Sequence, residues 1–394
     1  MERPIVVVIG TRPEAIKLLL LHKELNKAGL ISILVSTNQH SELLEQVFSI
    51  FNIYPDINLN IMIQNQDLFH ITSSVLEKMK IIYSKLNPRL VIVQGDTTTA
   101  FAASLAAFYA KIQIAHVEAG LRSGNFQSPY PEEMNRVYIS HIADYNFAPT
   151  HLSYANLLAS GINRKKIFLT GNTVVDSLFW IKKRILSGEI SVDQEILDQV
   201  RFCKKESKKI ILLTAHRRET FNEGLLRIFK CIKIFIENRQ DVVLFYPLHP
   251  NPNIKKALLD SKLSDANNVF LSSPLLYKNL IYLLLNCDFV LTDSGGIQEE
   301  AMSLGKQVVI LRDVTERMEG VWEGLGMLVG SNETLLTKAL QEFCDNKLSA
   351  IPSNIFGDGN SVYKIGQIIK YKLKNEIKNF NHDVFGSERI IKNV

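Results

Sequence analysis

The chain has 394 residues, of which 46% are hydrophobic and 22% charged, and its formal net charge is +5 at pH 7. Chains longer than about 250–300 residues usually divide into more than one domain, so we expect two. The composition excludes a disordered chain. Short Lys/Arg clusters without interleaved aromatic residues argue against a nucleic-acid partner, and the mild excess of positive charge is compatible with a small anionic ligand.

The cysteines and the apolar segments indicate the compartment. The apolar run Ile5–Ile9 is too short for a signal peptide, and no segment reaches the roughly 18 apolar residues that a membrane span needs. We therefore expect a soluble, cytoplasmic protein with no membrane association. Four cysteines have neither metal-ligand spacing nor a disulfide pattern: Cys203, Cys231, Cys287 and Cys344.

Short β-branched runs alternate with helical patterns in the first half of the chain. The first run, PIVVVIG, precedes a helix pattern with Pro13 in its first turn and Gly29 after its end. Continuous apolar strands that alternate with helices predict a parallel sheet covered on both faces. The further predicted strands of this half are SILVST, LVIVQG, IQIAHVE, YNFAP and KIFLTG.

A polar, lysine-rich stretch at 187–209 separates this series from a second one, formed by IILLTAH, DVVLFYP, NVFLSS, DFVLTDS and QVVILRD. We predict an α/β protein with two Rossmann-like, doubly wound parallel-sheet domains. Ligands of such sheets bind in the cleft at the carboxyl ends of the strands. The predicted divisions are a first domain at 1–175, a second at 176–361, a helix at 362–378 that returns to the first domain, and a loose tail at 379–394.

Candidate ligand-binding residues follow the first predicted strand. The stretch GTRPEAIK places Arg12 at the strand–helix turn and Lys17 one turn into the helix, which suits a phosphate group. An ordinary turn with a surface arginine explains the same residues equally well. The stretch is not GxGxxG, so a dinucleotide cofactor is not indicated.

Acidic residues stand at three further strand or helix ends of the first half. Asp96 ends the strand in VQGDTTTAF and either caps the next helix or acts as an acid, a base or an orienting group. Glu118 ends the apolar run AHVE, and Glu132 and Glu133 open the next helix pattern after the connection RSGNFQSPYP. Taken alone, each position is explained by helix capping and solvation as well as by proton chemistry.

The second half offers groups that bind anions. In LTDSGGIQEEA a strand runs into Ser294–Gly296 at a helix start, where exposed amides and a hydroxyl suit a diphosphate. One turn further, Glu299 and Glu300 are candidates for ribose hydroxyls. His216 precedes two arginines in LLTAHRRE, which favours an anion contact, and His249 lies between prolines in YPLHPNP.

These motifs resemble the bacterial non-hydrolysing UDP-N-acetylglucosamine 2-epimerase family. The resemblance covers residues 4–375 and implies a glycosyltransferase-B-like arrangement, a homodimer, and neither a metal nor a nicotinamide cofactor. It also implies interconversion of UDP-N-acetylglucosamine and UDP-N-acetylmannosamine for cell-surface polysaccharide biosynthesis. The motifs in the family's order are GTRPEAIK, GDTTTAFAASLAAFY, HVEAGLRSG, SPYPEEMNR, LTGNTVVD, HRRE and LTDSGGIQEEA.

The resemblance further implies that carbon 2 is inverted through anti elimination of UDP to 2-acetamidoglucal, followed by re-addition of UDP. The implied catalytic residues are Asp96, Glu118, Glu132 and His216, with no assignment of a carboxylate to a face of carbon 2. The implied substrate-binding residues are Arg12, Lys17, Tyr277, Ser294, Gly295, Gly296, Glu300 and Arg317. A possible allosteric site for a second substrate molecule comprises Gln39, His40, Arg217 and His249.

The chain departs from the family pattern in a few places. Ser41 replaces a frequent basic residue, Met318 replaces proline, and the segment with Leu275 and Leu280 lacks the glutamine and phenylalanine common around uracil. The alternatives are a hydrolysing 2-epimerase that releases UDP and N-acetylmannosamine, an epimerase for a diacetamido uronic sugar, a UDP-sugar glycosyltransferase of the same fold, and a nucleotide-sugar sensor.

Overall fold

A computed structural model of the chain describes residues 3–37, 41–63, 66–215, 223–345 and 351–387. Within these ranges the strands form two sheets whose paired neighbours all run parallel. The first sheet comprises β1 (Ile5–Ile9), β2 (Ser32–Ser36), β3 (Ile57–Asn58), β4 (Leu90–Gln94), β5 (Gln113–Val117), β6 (Tyr145–Ala148) and β7 (Ile167–Leu169). The second comprises β8 (Lys209–Thr214), β9 (Val242–Pro247), β10 (Val269–Ser272), β11 (Phe289–Thr292), β12 (Gln307–Ile310) and β13 (Gly326–Leu328).

The strand order is β3-β2-β1-β4-β5-β6-β7 in the first sheet and β10-β9-β8-β11-β12-β13 in the second. In both sheets the order reverses beside the first strand, which opens a crevice at the carboxyl ends. Helices of the first half are α1 (Arg12–Lys27), α2 (Ser41–Phe51), α3 (Leu68–Leu86), α4 (Thr98–Tyr109), α5 (Glu132–Ile142), α6 (His151–Ala159) and α7 (Thr173–Leu186). Those that follow are α8 (Gln194–Lys205), α9 (Glu223–Glu237), α10 (Pro252–Ser261), α11 (Tyr277–Asn286), α12 (Gly295–Ser303), α13 (Met318–Trp322), α14 (Glu333–Asp345) and α15 (Ser361–Ser387).

The predicted fold class is confirmed. Strands such as β1 and β4 are buried along their whole length, as continuous apolar runs between two helical layers require. The edge strands β3 and β13 were not predicted from the sequence, because two or three residues are too few to show a period. The polar stretch at 187–209 contains α8, which buries one apolar face: Ile196, Val200 and Cys203.

Helices α7 and α15 join the two halves. Helix α7 packs against α1 of the first half and against α11 and α12 of the second, and α15 packs back against α1 and α7. The Asp176 carboxylate accepts bonds from the backbone amides of Ser361 and Val362 at 3.2 and 3.0 Å, which caps the start of α15. The helix continues to Ser387, beyond its predicted end. The domain division near residue 175 stays a prediction.

In the part of the chain that the structure describes, no helix is both long and apolar enough to cross a membrane. The four cysteines are free and buried.

Candidate active site

A cavity of about 650 Å³ lies between the carboxyl ends of the two sheets. Residues that follow β1, β4 and β5 line one wall, and residues that follow β8, β9 and β11 line the other. The volume is that of a typical site for a small organic ligand. The cavity therefore lies where the topology of doubly wound sheets predicts it.

Glu118 lies on the floor of this cavity, directly after β5. Its backbone has φ of 65°, in the left-handed region that residues other than glycine rarely adopt. Only 2% of its side chain is exposed. A buried carboxylate on a left-handed residue costs stability in two ways, and such costs concentrate at functional sites.

The Glu118 carboxylate is surrounded by donors. Lys17 Nζ and Gln94 Nε2 both donate to its Oε2, and Arg317 donates to Oε1 at 3.2 Å. Burial by itself raises the pKa of Glu118, but the charges of Lys17 and Arg317 outweigh it and hold that pKa below its ordinary value. The carboxylate is ionised, and the arginine that holds it comes from the second half of the chain.

Asp96 is held by two residues of α5. Arg136 forms an ion pair with the Asp96 carboxylate, and Asn135 Nδ2 donates to the Asp96 carbonyl oxygen at 2.9 Å. The preceding residue, Gly95, has φ of 68°, and its carbonyl is bound by the buried His116 ring at 2.8 Å. The loop after β4 is therefore bound by His116 of β5 and by Asn135 and Arg136 of α5.

Glu132 and Glu133, the adjacent acids that open α5, have different surroundings. Glu132 lines the cavity. The Glu133 carboxylate instead accepts bonds from the backbone amides of Ser123 and Gly124 at 3.0 and 3.1 Å. Of these two acids, Glu132 is the one in the described cavity lining, while Glu133 binds the connection between β5 and α5.

On the opposite wall, α12 directs its N-terminus at the cavity, with Ser294, Gly295 and Gly296 in the lining. A Cβ on Gly296 would have no described heavy atom of a neighbouring group within 4 Å, so this position opens onto empty space. A Cβ on Gly295 would lie 2.5 Å from Cζ of Arg317. Bare amides, the helix dipole and the adjacent guanidinium are groups that can bind an anion such as a diphosphate.

Glu300 and Tyr277 form a buried pair in the same wall. The Tyr277 hydroxyl donates to Glu300 Oε1. Burial raises the pKa of Glu300 to about 7, and burial together with the Glu300 charge raises the pKa of Tyr277 well above its ordinary value.

Across the cavity Arg12 donates to the carbonyl of Leu275 at 3.1 Å, so a residue of the first half contacts the predicted uracil segment.

A network of buried charges crosses between the halves. Arg136 lies 3.4 Å from Glu316 Oε1, and Arg312 and Arg317 lie 3.0 and 3.2 Å from Glu316 Oε2. These three cations hold the pKa of Glu316 far below its ordinary value, although burial alone raises it. Arg136 also binds Asp96. Charged residues of both halves therefore surround the acidic side chains of the cavity.

The structure brings most of the predicted residues to the cavity. Its lining includes Arg12, Lys17, Asp96, Glu118, Glu132, His249, Tyr277, Ser294, Gly295, Gly296, Glu300 and Arg317. His249 is exposed at the rim. Glu299, considered with Glu300 for ribose, is not among the described lining residues and binds Arg317 instead. Four predicted residues lie outside the described part of the chain: Gln39, His40, His216 and Arg217.

Several site residues were not predicted from the sequence. Arg136 had a usable signal, because it follows Glu132 by four residues and so lies on the same helical face. Gln94 and Asn172 also lie at or just after strand ends. Their roles, like that of Glu316, depend on partners far away in the chain, which the sequence does not show. Among the described residues, no group of three or more His, Cys, Asp or Glu side chains is arranged to hold a metal ion.

Comparison with known proteins shows the family of the chain. The sequence model of the family described as UDP-N-acetylglucosamine 2-epimerase matches residues 23–370. The Campylobacter jejuni protein named UDP-N-acetylglucosamine 2-epimerase is 43% identical over 385 residues, which cover 95% of this chain and 100% of that protein. The Bacillus subtilis protein of the same name is 43% identical over 366 residues, covering 92% and 93% of the two chains.

Solved structures give the same result. The UDP-GlcNAc 2-epimerase of Neisseria meningitidis bound to UDP-GlcNAc has a TM-score of 0.87 at 40% identity, covering 93% of this chain and 100% of that one. The Methanocaldococcus jannaschii enzyme in complex with UDP-GlcNAc and UDP has a TM-score of 0.81 at 35% identity, covering 93% and 99%. The resemblance inferred from the sequence motifs is confirmed. The chain belongs to the UDP-N-acetylglucosamine 2-epimerase family.

Proposed function

We propose that the protein interconverts UDP-N-acetylglucosamine and UDP-N-acetylmannosamine by inverting carbon 2 of the sugar, without hydrolysis. The observation that carries the proposal is a single cavity in which a diphosphate site at the start of α12 faces three carboxylates of the other half: Asp96, Glu118 and Glu132. A nucleotide held by the second half would present its sugar to these acids.

The carbon 2 proton is not activated by a carbonyl group, so a simple deprotonation is unfavourable. In the proposed route a carboxylate removes this proton while the bond from carbon 1 to the diphosphate oxygen breaks. The electron pair of the C–H bond forms the double bond of 2-acetamidoglucal, and UDP leaves with the pair of the C–O bond. For return, a second acid protonates carbon 2 on the other face and UDP adds to carbon 1.

The cavity supplies what this route demands. Arg317 and the amides of Ser294–Gly296 stabilise the charge that develops on the leaving diphosphate. Glu118 is ionised, and Asp96 and Glu132 lie in the same lining, so acids are available around one bound sugar. His216, the fourth proposed catalytic residue, lies outside the described residues.

Incubation with UDP-N-acetylglucosamine in heavy water, followed by NMR, tests the reaction. Deuterium at carbon 2 of intact UDP-N-acetylmannosamine supports the proposal. Free N-acetylmannosamine with an equal amount of UDP contradicts it and favours the hydrolysing alternative. Absence of exchange contradicts it in favour of a transferase or a sensor, and the Glu118→Gln variant serves as the matched control.

The proposal extends to a homodimer in the cytoplasm. Neighbouring helices α3, α4 and α5 expose large apolar side chains, with Ile81, Phe108 and Tyr138 each about half exposed, and such patches commonly mark protein interfaces. The buried free cysteines suit a reducing compartment. Light scattering during size-exclusion chromatography tests the dimer: Phe108→Glu should yield monomers, and a wild-type monomer would contradict it.

A further inference from the structure

Glu299 is a fully buried acid that the proposed reaction does not use directly. Its Oε1 accepts a bond from Arg317 Nε at 2.8 Å, and its Oε2 accepts a bond from Asn172 Nδ2. Arg317 in turn donates to Glu118 at 3.2 Å. One guanidinium therefore lies between an acid of the cavity floor and an acid outside the cavity lining.

Helix α12 places Glu299 where it can hold this guanidinium. Gly295 stands one turn earlier on the same helix, and a Cβ there would lie 2.5 Å from Arg317 Cζ. The guanidinium thus rests on the bare backbone of the first turn while Glu299 binds it from the second turn. Its position relative to the diphosphate site is set by one rigid helix.

Asn172 connects Glu299 to the point where the segment before α7 crosses the segment before α15. The Asn172 amide donates to the carbonyl of Phe356 at 2.7 Å, and the Asn172 side chain caps α7. The backbones are in close contact here, because a Cβ on Gly171 would lie 3.0 Å from Gly357 Cα. A change in the angle between the halves would move this crossing and the carboxylate bound to it.

We propose that Glu299, anchored by Asn172, is a positioning residue that holds Arg317 between the start of α12 and Glu118 and so couples the placement of the two halves to that carboxylate. The proposal rests on the function proposed above, in which Glu118 takes part in proton transfer. It extends that function with a residue that contacts neither substrate nor reacting atoms.

Glu299 and Glu118 both bind Arg317, yet the pKa values of the two carboxylates differ. Burial and the neighbouring Glu118 charge raise the pKa of Glu299 to about 7, whereas Glu118 has Lys17 as a second cation and its pKa is lowered. Glu118 therefore ionises at a lower pH than Glu299, and Glu299 becomes charged only as the pH rises towards 7. The charged carboxylate binds the Arg317 guanidinium more tightly than the neutral acid does, so turnover should rise as Glu299 ionises.

Other charged groups around Glu299 are Lys17 from α1, Glu316 beside Arg317, and Glu300 on its own helix. Asp176 on the adjacent α7 faces the start of α15 instead. The substitution Glu299→Gln removes one charge from this set and keeps an oxygen that accepts the bond from Arg317 Nε.

The test compares Glu299→Gln with the matched control Asp176→Asn, a buried acid near the same crossing that binds backbone amides instead of Arg317. Calorimetric titration with UDP and the pH profile of carbon 2 exchange are measured. For Glu299→Gln we expect turnover above pH 7 to fall about tenfold, UDP affinity to stay within about threefold, and the rise of turnover near pH 7 to disappear. The Asp176→Asn control should keep this rise.

A rise of turnover near pH 7 that persists in Glu299→Gln, or that is lost equally in the control, overturns the proposal. Glu299→Asp keeps a carboxylate and should restore the rise. Asn172 also bonds to Glu118, so its loss alone lowers turnover. If Glu299→Gln does not fold, Asn172→Ser, which keeps a helix-capping residue and removes a donor to Glu299, must move the rise near pH 7 to higher pH while UDP affinity is retained. Wild-type exchange by Glu118→Gln would instead contradict the proposed function, so the two failures are distinguishable.

Discussion

Gly295 and Gly296 stand side by side at the start of α12, yet an added methyl group would meet different surroundings at the two positions. At Gly296 no described heavy atom of a neighbouring group lies within 4 Å of the new Cβ. At Gly295 the Cβ would lie 2.5 Å from two atoms of the Arg317 guanidinium. Gly296→Ala therefore only narrows the cavity, whereas Gly295→Ala displaces the Arg317 guanidinium.

The expected magnitudes follow from these surroundings. Alanine is favoured over glycine in a helix by about 0.5–1 kcal/mol, so Gly296→Ala should be at least as stable as the wild type. The methyl group would keep a phosphate away from the amides of the first turn. Loss of one charge-assisted bond costs about 1.5–3 kcal/mol, which corresponds to roughly a ten- to hundredfold weaker affinity for UDP.

Calorimetric titration with UDP and thermal unfolding measure the two quantities on the same samples. Gly224→Ala is the matched control, because Gly224 is the second residue of α9, as Gly296 is of α12. A Cβ on Gly224 would make an ordinary contact of 3.5 Å with Ser331. We expect the control to keep the UDP affinity and Gly295→Ala to lose both affinity and stability.

Wild-type UDP affinity in Gly296→Ala would refute the placement of the diphosphate at the start of α12. A large loss of thermal stability in this variant would refute the inference that the position faces open space.

Three further predictions concern the acids and a buried histidine. Glu118→Gln and Glu132→Gln should each abolish deuterium exchange at carbon 2 while calorimetry shows UDP affinity within about threefold; loss of UDP binding in both would make these acids structural. Glu300→Ala should weaken UDP binding about tenfold by calorimetry if it contacts ribose, and unchanged affinity would contradict that contact. Burial lowers the pKa of His116 to about 4, so its neutral form stabilises the fold above pH 6.5 and this contribution is lost as pH falls towards 4. Urea unfolding should show the wild type losing on the order of 3 kcal/mol relative to His116→Gln over this range, and a constant difference would contradict it.

Much of the candidate site was predictable because its residues follow strands. Continuous apolar runs identified the strands of both halves, and the topology of parallel sheets then placed Asp96, Glu118 and Ser294 at one cleft. Helix capping and hydrophobic period could not separate the members of adjacent acid pairs, although the family resemblance selected Glu132 and Glu300. At α5 it is Glu132 that lines the cavity while Glu133 holds a loop, and at α12 it is Glu300 that lines it while Glu299 binds Arg317.

The sequence by itself determined the doubly wound architecture and the family, because hydrophobic period, turn residues and motif order are properties of short segments. Only the tertiary structure decided which charges share a partner. The bond from Arg317 to Glu118 joins residues 199 apart in the chain, and that from Arg136 to Glu316 joins residues 180 apart. Such pairs form only when the two sheets face each other, and burial then fixes which acids stay ionised.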